Sequence, residues 1–171
     1  MPSFVMHLAI GKDYMLKHKN EIKNEKDFLK GSIEPDLYNG IVGNSKEKII
    51  THFGNRRNIQ GLYNLIKQKE DYLHEDFWKG YFLHLYADYL LYSKYFSDEN
   101  LYDDYYKINK RLIEKYKIEL PEMLKKYGRY FEGEPKYLTF DFLDNFIHEV
   151  TYKKIEDIIK ELKGENYEYK N

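Results

Sequence analysis

An all-α fold is expected for this 171-residue chain on three observations. Long segments carry apolar residues at i, i+3, i+4 and i+7, the period of one helical face. Short breaks containing Gly or Pro separate those segments. No series of strands, internal repeat or linker is visible, so one compact multi-helix domain over residues 1–171 is the simplest reading.

Phe4 to His18 reads as a first helix, with Phe4, Leu8 and Met15 on one flank and His7 close to it. Glu25 to Lys30 reads as a short helix, with Gly31 suited to its C-terminal cap. Gly31-Ser32-Ile33-Glu34-Pro35-Asp36 then forms a rigid turn, because the Pro35 ring fixes its own backbone. Tyr38 to Lys48 reads as a loop rich in Gly and Asn, and Ile49 to Phe53 fits either a short strand or an irregular segment.

Helices resume over Asn58–Lys69, with Ile59, Leu62, Leu65 and Ile66 on one face. Asp76–Phe96 is the central helix. It carries Phe77, Trp78, Phe82, Leu83, Leu85, Leu90 and Leu91 on nearly all sides, so it is expected to be among the most buried. Asp98 opens another helix, with Leu101, Tyr105, Ile108, Leu112 and Ile113 in helical spacing. Pro121 suits the first turn of a short helix ending near Gly128, and Arg129–Leu138 reads as a loop. One last helix is expected from Thr139 to about Lys163, ended by Gly164, with a frayed tail beyond.

Composition narrows the function. Net charge is -1, which supplies no general field for nucleic acid. The chain has no cysteine, so disulfides, thiolate metal sites and cysteine nucleophiles are excluded. The 19 tyrosines and 10 phenylalanines read as core material rather than stacking platforms. No apolar run is long enough for a transmembrane segment. The N-terminal residues lack the pattern of a secretory signal, so a cytoplasmic location is expected.

Chemistry concentrates on the central helix at His84-x-x-x-Asp88. Residues four apart share a helical face, so the imidazole and the carboxylate can point at one spot. A carboxylate among apolar residues needs a partner, and a histidine with a divalent cation would serve. Of the six histidines, His18 and His74 lie among charged residues and read as solvated. His7, His52 and His84 lie among apolar ones. His148 reads as a residue at the edge of the last helix's stripe. Asp36, fixed behind Pro35, completes the candidate set.

His7-Leu8-Ala9-Ile10, the Gly31–Asp36 turn, Thr51-His52-Phe53 and the Gly80–Asp88 segment occur in the order seen in the zinc-dependent phospholipase C family, which is similar in fold to the single-strand-specific zinc nucleases. The resemblance covers residues 4 to 96. It implies an all-α phospholipase C-like fold. It also implies one zinc site from Asp36, His52, His84 and Asp88, and a second from His7 with Asp88 bridging. The family's third site uses a histidine where Lys94 stands here, and a later H-x-x-x-E that this chain lacks. One or two zinc ions are therefore expected.

The implied activity is a phospholipase C-like hydrolysis of phosphoric esters, with a small phosphate ester or a phospholipid as substrate. Zinc would activate water and polarise the phosphoryl oxygen. Asp36 would orient the nucleophile or act as base, and Lys94 would bind phosphate. The alternative is a non-enzymatic descendant with one structural or regulatory metal, or a metal-free binding protein.

Overall fold

The structure, a computed structural model, describes residues 3–97 and 99–168. Helices α1 (Phe4–Lys17), α2 (Glu25–Ile33) and α5 (Asp76–Leu90) form its centre. Around them lie α3 (Ser45–Thr51), α4 (Gln60–Gln68), α6 (Tyr102–Tyr116), α7 (Phe140–Thr151) and α8 (Ile155–Glu168). The fold is all-α but for one two-stranded hairpin, β1 (Leu37–Tyr38) with β2 (Ile41–Val42). None of the described helices is long and apolar enough to cross a membrane.

The α2–α5 crossing sets the architecture. A Cβ at Gly31 would overlap the Phe77 carbonyl, and a Cβ at Gly80 would overlap the Phe28 carbonyl. Two glycines thus bring two backbones into direct contact, as small residues allow wherever they face one another. Gly31 therefore lies inside α2, which runs on to Ile33, instead of capping it as the sequence suggested. Its missing side chain is spent on close approach.

Other boundaries differ for equally local reasons. Tyr38–Lys48 is not a plain loop. Asn39 and Gly40 both have positive φ (52° and 81°), which makes the tight hairpin turn that Asn-Gly favours. Residues 45–51 are helical rather than a strand. Asn44 and Glu47 form a reciprocal capping box at the start of α3, and Ile49 and Ile50 are exposed. The central helix leaves α geometry after Leu90. A wider turn spans Leu91–Tyr95, closed by the Phe96 N–H donating to the Leu91 carbonyl at 2.8 Å.

Asp98, expected to open the next helix, lies outside the described residues, and α6 begins at Tyr102. Pro121 caps a 3₁₀ stretch over Glu122–Gly128. The expected final helix is two. The chain breaks after Thr151, where the Thr151 hydroxyl donates to Asp13 Oδ2 at 2.6 Å and the Ile155 N–H donates to the Tyr14 hydroxyl at 2.9 Å. Bonds to α1 replace helical ones there, so the apolar stripe is kept while the axis changes. α8 continues past Gly164 to Glu168, because a helical glycine costs less than ~1 kcal/mol and terminates nothing by itself.

The core runs through Phe4, Phe28, Phe82, Leu91, Ile108 and Phe146, all nearly inaccessible. His18 departs from its solvated reading. It is half-buried and its Nε2 donates to the Thr151 carbonyl at 2.7 Å, tying the end of α1 to α7. His74 is exposed, as is His148, whose ring contacts the Lys17 ammonium at 3.1 Å.

Candidate metal centre

Five polar side chains from four segments meet at the middle of this helical packing: His7, Asp36, His52, His84 and Asp88. Each is 3 % exposed or less. Such burial of two carboxylates is affordable only among compensating groups.

Each is placed by a distinct local device. His7 faces inward from α1, whose residues Phe4–Gly11 are all buried. Asp36 ends the 3₁₀ turn Glu34–Asp36 that Pro35 opens, and the Gly43 N–H donates to its carbonyl at 3.1 Å, tying the turn to the hairpin. His52 follows the last residue of α3. The chain then turns through positive φ at Phe53 (56°) and Gly54 (144°). Phe53 is held in that unfavourable region by Asn64, whose side-chain amide donates to its carbonyl at 2.8 Å. The Thr51 hydroxyl donates to the Pro35 carbonyl at 2.6 Å, so the His52 and Asp36 segments move as one. Tyr81 adds a hydroxyl bond to the Thr51 carbonyl from α5. His84 and Asp88 lie one turn apart on α5 itself.

The hydrogen bonds then fix which nitrogens face the centre. His84 Nδ1 donates to the Ser32 carbonyl at 2.7 Å, and His52 Nδ1 donates to the Lys48 carbonyl at 2.8 Å. Carbonyls only accept, so both protons sit on Nδ1 and both Nε2 lone pairs turn inward. His84 Nε2 is 3.3 Å from Asp88 Oδ2 and 3.7 Å from Asp36 Oδ2. His52 Nε2 is 3.2 Å from Asp88 Oδ2 and 3.8 Å from Asp36 Oδ1. The other oxygen of Asp88 meets a third imidazole, with His7 Nε2 at 3.1 Å from Oδ1. His7 also stacks on His84, with ring centroids 3.5 Å apart and planes 12° from parallel.

These separations suit a shared cation. Zinc–nitrogen and zinc–oxygen distances near 2.0–2.2 Å put neighbouring tetrahedral ligands roughly 3.3–3.5 Å apart. Ligand atoms of His7, Asp36 and His84 lie within 4.8 Å of one another, as do those of His52, His84 and Asp88. His84 Nε2 is buried and has no hydrogen-bond partner among the described residues. A bare lone pair facing two carboxylates calls for a positive charge between them, and the backbone-anchored Nδ1–H is the support that ligating histidines characteristically have.

Without a cation the cluster must draw on protons. Burial pushes both carboxyls up. At Asp88 the imidazoles of His84 and His7 outweigh that and hold it well below the usual carboxylate range. At Asp36 the His84 ring and the Lys48 ammonium, 3.6 Å from Oδ1, do the same more weakly. Burial also pushes both histidines down. At His84 the charges of Asp36 and Asp88 reverse the sign and raise its pKa. At His7 the neighbouring His84 adds to burial, Asp88 does not compensate, and the pKa falls. Hence His84 takes up a proton at a higher pH than a free imidazole does, and His7 at a lower one.

The linkage follows. His84 is raised above its unfolded value of about 6.5, so its stabilising contribution is complete below that pH and is lost as pH rises. A cation binding at Nε2 must displace that proton. Zinc uptake by metal-free protein is expected to release protons through His84, and the release should shrink as pH rises. Calorimetry in buffers of different ionisation enthalpy measures it, and His84→Ala should abolish that release.

Lys94 is placed elsewhere. It is exposed on the wide turn after α5, and its ammonium pairs with Glu149 of α7. Three residues not singled out by the sequence reading adjoin the centre instead. Lys48 contacts Asp36 from one turn before His52. Tyr92, one turn after Asp88, is buried and its hydroxyl lies 2.5 Å from that of Tyr105. Arg56 lies over the Tyr92 ring at 4.1 Å. The i, i+4 spacings of Lys48 with His52 and of Tyr92 with Asp88 were signals available in the chain, whereas Arg56 had none.

No family model matches the chain, and no curated protein or solved structure matches it either.

Proposed function

We propose that this protein is a metal-dependent phosphoric ester hydrolase with a phospholipase C-like fold and chemistry. Its cofactor is zinc, one ion or two. Asp36, His52, His84 and Asp88 hold the first, and His7 with the second oxygen of Asp88 serves the other. One observation carries the reading: two histidines locked by backbone carbonyls turn their Nε2 atoms toward two buried carboxylates.

Zinc bound there supplies Lewis-acid activation of water and of a phosphoryl oxygen. The chain's own residues do the rest. Asp88 divides its two oxygens between His7 and the His52–His84 pair. Asp36 is held ionised by His84 and Lys48 and can orient the nucleophile or accept its proton. The order of the His7, Asp36, His52 and His84-x-x-x-Asp88 motifs, which resembles the zinc-dependent phospholipase C family, supplies the reaction class. A small phosphate ester or a phospholipid is the substrate.

A second reading also has support. Asp36, His52, His84 and Asp88 provide four ligands, all nearly inaccessible, which is the closed shell of a structural zinc. Against it stands a cavity of about 310 Å³ that has His52 of the centre in its lining. Metal analysis with a phosphodiester and phosphomonoester assay decides between them. Protein purified without chelator should contain one or two zinc ions per chain and hydrolyse an aryl phosphate ester. Zinc without hydrolysis would favour the structural reading. EDTA should lower the melting temperature in either case, since a ligand at 100 times its Kd stabilises by about 2.7 kcal/mol.

A further inference from the structure

The cavity beside His52 has a chemical character of its own. It holds about 310 Å³, at the small end of ligand sites. Its lining includes His52 from the metal centre and two cations, Lys48 and Arg56, with Ser45 and Asn55 as further polar groups. Among the described residues no carboxylate lines it. A second basic groove differs: there Lys107, Lys110, Arg111 and Lys115 are interspersed with Glu114, Glu132 and Glu134, so most of its positive charge is met locally.

Both cations are positioned rather than loosely solvated. Lys48 is half-buried with its ammonium 3.6 Å from Asp36 Oδ1. Arg56 is half-buried, with its guanidinium carbon 4.1 Å from the Tyr92 ring centroid. Tyr92 is itself buried and hydroxyl-paired to Tyr105, so the platform under Arg56 is rigid. A guanidinium held against a ring can still donate from its edge, and Arg56 is in the cavity lining. The burial of Arg56 is offset by Tyr92 and by the field of Asp88, which keeps it charged.

We propose that Lys48 and Arg56 form a phosphoryl clamp, binding the oxygens of a phosphate group that enters beside His52. This rests on the metal-dependent reading above and deepens it, because it fixes the side from which substrate approaches. The physical basis is the match of a guanidinium fork and an ammonium to oxyanion oxygens. Asp36 and Asp88 neutralise one divalent cation, so the positive charge of Lys48 and Arg56 remains to be met. A phosphate group, carrying about one and a half to two negative charges near pH 7 as a monoester and one as a diester, meets it.

Inorganic phosphate is the probe. Binding is followed by calorimetry or ³¹P line broadening on protein as purified and after EDTA, with zinc content and melting temperature measured alongside. Lys48→Met and Arg56→Met should each weaken phosphate binding about tenfold or more, the loss of one charge-assisted hydrogen bond. Zinc content in Arg56→Met should be unchanged. Lys110→Met, in the other groove, should bind phosphate as the wild type does. A phosphomonoester and a phosphodiester competing against phosphate then rank the two sources of the phosphoryl group.

Folded, zinc-loaded Arg56→Met with phosphate affinity within twofold of wild type would overturn the clamp while leaving the metal centre standing. An equal loss in Lys110→Met would also overturn it. A wild-type protein without zinc would remove the metal reading instead. Arg56-dependent phosphate binding after EDTA would then still support the clamp, and its absence would overturn that too.

Discussion

Asp88→Ala is expected to remove bound metal, hydrolysis and a large part of the folding stability together. One oxygen of this carboxylate faces His52 and His84 and the other faces His7. Its removal leaves three imidazoles against Asp36 alone. Metal sites lose affinity steeply when a shared anionic ligand goes, because the cation's charge is no longer matched. In the metal-free protein the same change strands the His84 proton beside fewer anions, and breaking a buried charge pair costs about 3–5 kcal/mol. Asp88→Asn separates the two effects. It keeps the volume and some hydrogen bonding, so it should recover part of the stability and none of the metal. His74→Ala, at an exposed position, should match wild type in zinc content and melting temperature. Zinc analysis, a hydrolysis assay and thermal melts on the three variants check this. A fully stable, zinc-containing Asp88→Ala protein would contradict it.

Gly80→Ala is the largest effect expected away from the centre. The added methyl would overlap the Phe28 carbonyl, a backbone atom that cannot swing aside. α2 must then move off α5. Overpacking against side chains costs about 1–3 kcal/mol, and a clash with backbone should reach the upper end or exceed it. The displacement also draws the Ser32 carbonyl away from His84 Nδ1. Losing such an outer partner typically lowers metal affinity about 10- to 100-fold. Gly31→Ala, which meets the Phe77 carbonyl, should behave alike. Gly164→Ala has open space and should stabilise slightly, by up to ~1 kcal/mol, as a helical alanine replacing glycine. Melting curves of the three variants test the contrast in sign. A Gly80→Ala protein as stable as wild type would refute the direct-contact crossing.

Much of this arrangement was legible in the chain. Helical periodicity located α1, α4, α5 and α6 to within a few residues, because each buries a regular apolar face. His84 and Asp88 share a surface by spacing alone. Pro35 marked the rigid turn that carries Asp36. The misreadings have two causes: tertiary packing overrode a local preference at some positions, and a local capping or turn signal was passed over at others. Gly31 looked like a cap, but its absent side chain admits the α5 backbone. Ile49 and Ile50 fitted a short strand or an irregular segment, yet the Asn44–Glu47 capping box starts a helix that leaves both exposed. The 139–163 stripe looked continuous because the apolar positions persist across the break that Thr151 and Ile155 make to α1. Asn39-Gly40 was a readable hairpin signal that the surrounding polar residues masked. Lys94 attracted attention through its place six residues past Asp88, but the wide turn at Leu91–Tyr95 accompanies its pairing with Glu149. Arg56 reaches the centre through the left-handed turn at Phe53 and Gly54, a tertiary path with no local signature.

The most direct test of the central claim is anomalous scattering at the zinc edge, measured on crystals of protein purified without chelator. The account predicts one or two peaks within bonding distance of His52 Nε2, His84 Nε2 and the carboxylates of Asp36 and Asp88, with any second peak beside His7. A well-ordered cluster with no anomalous peak, in crystals grown with zinc present, would contradict it.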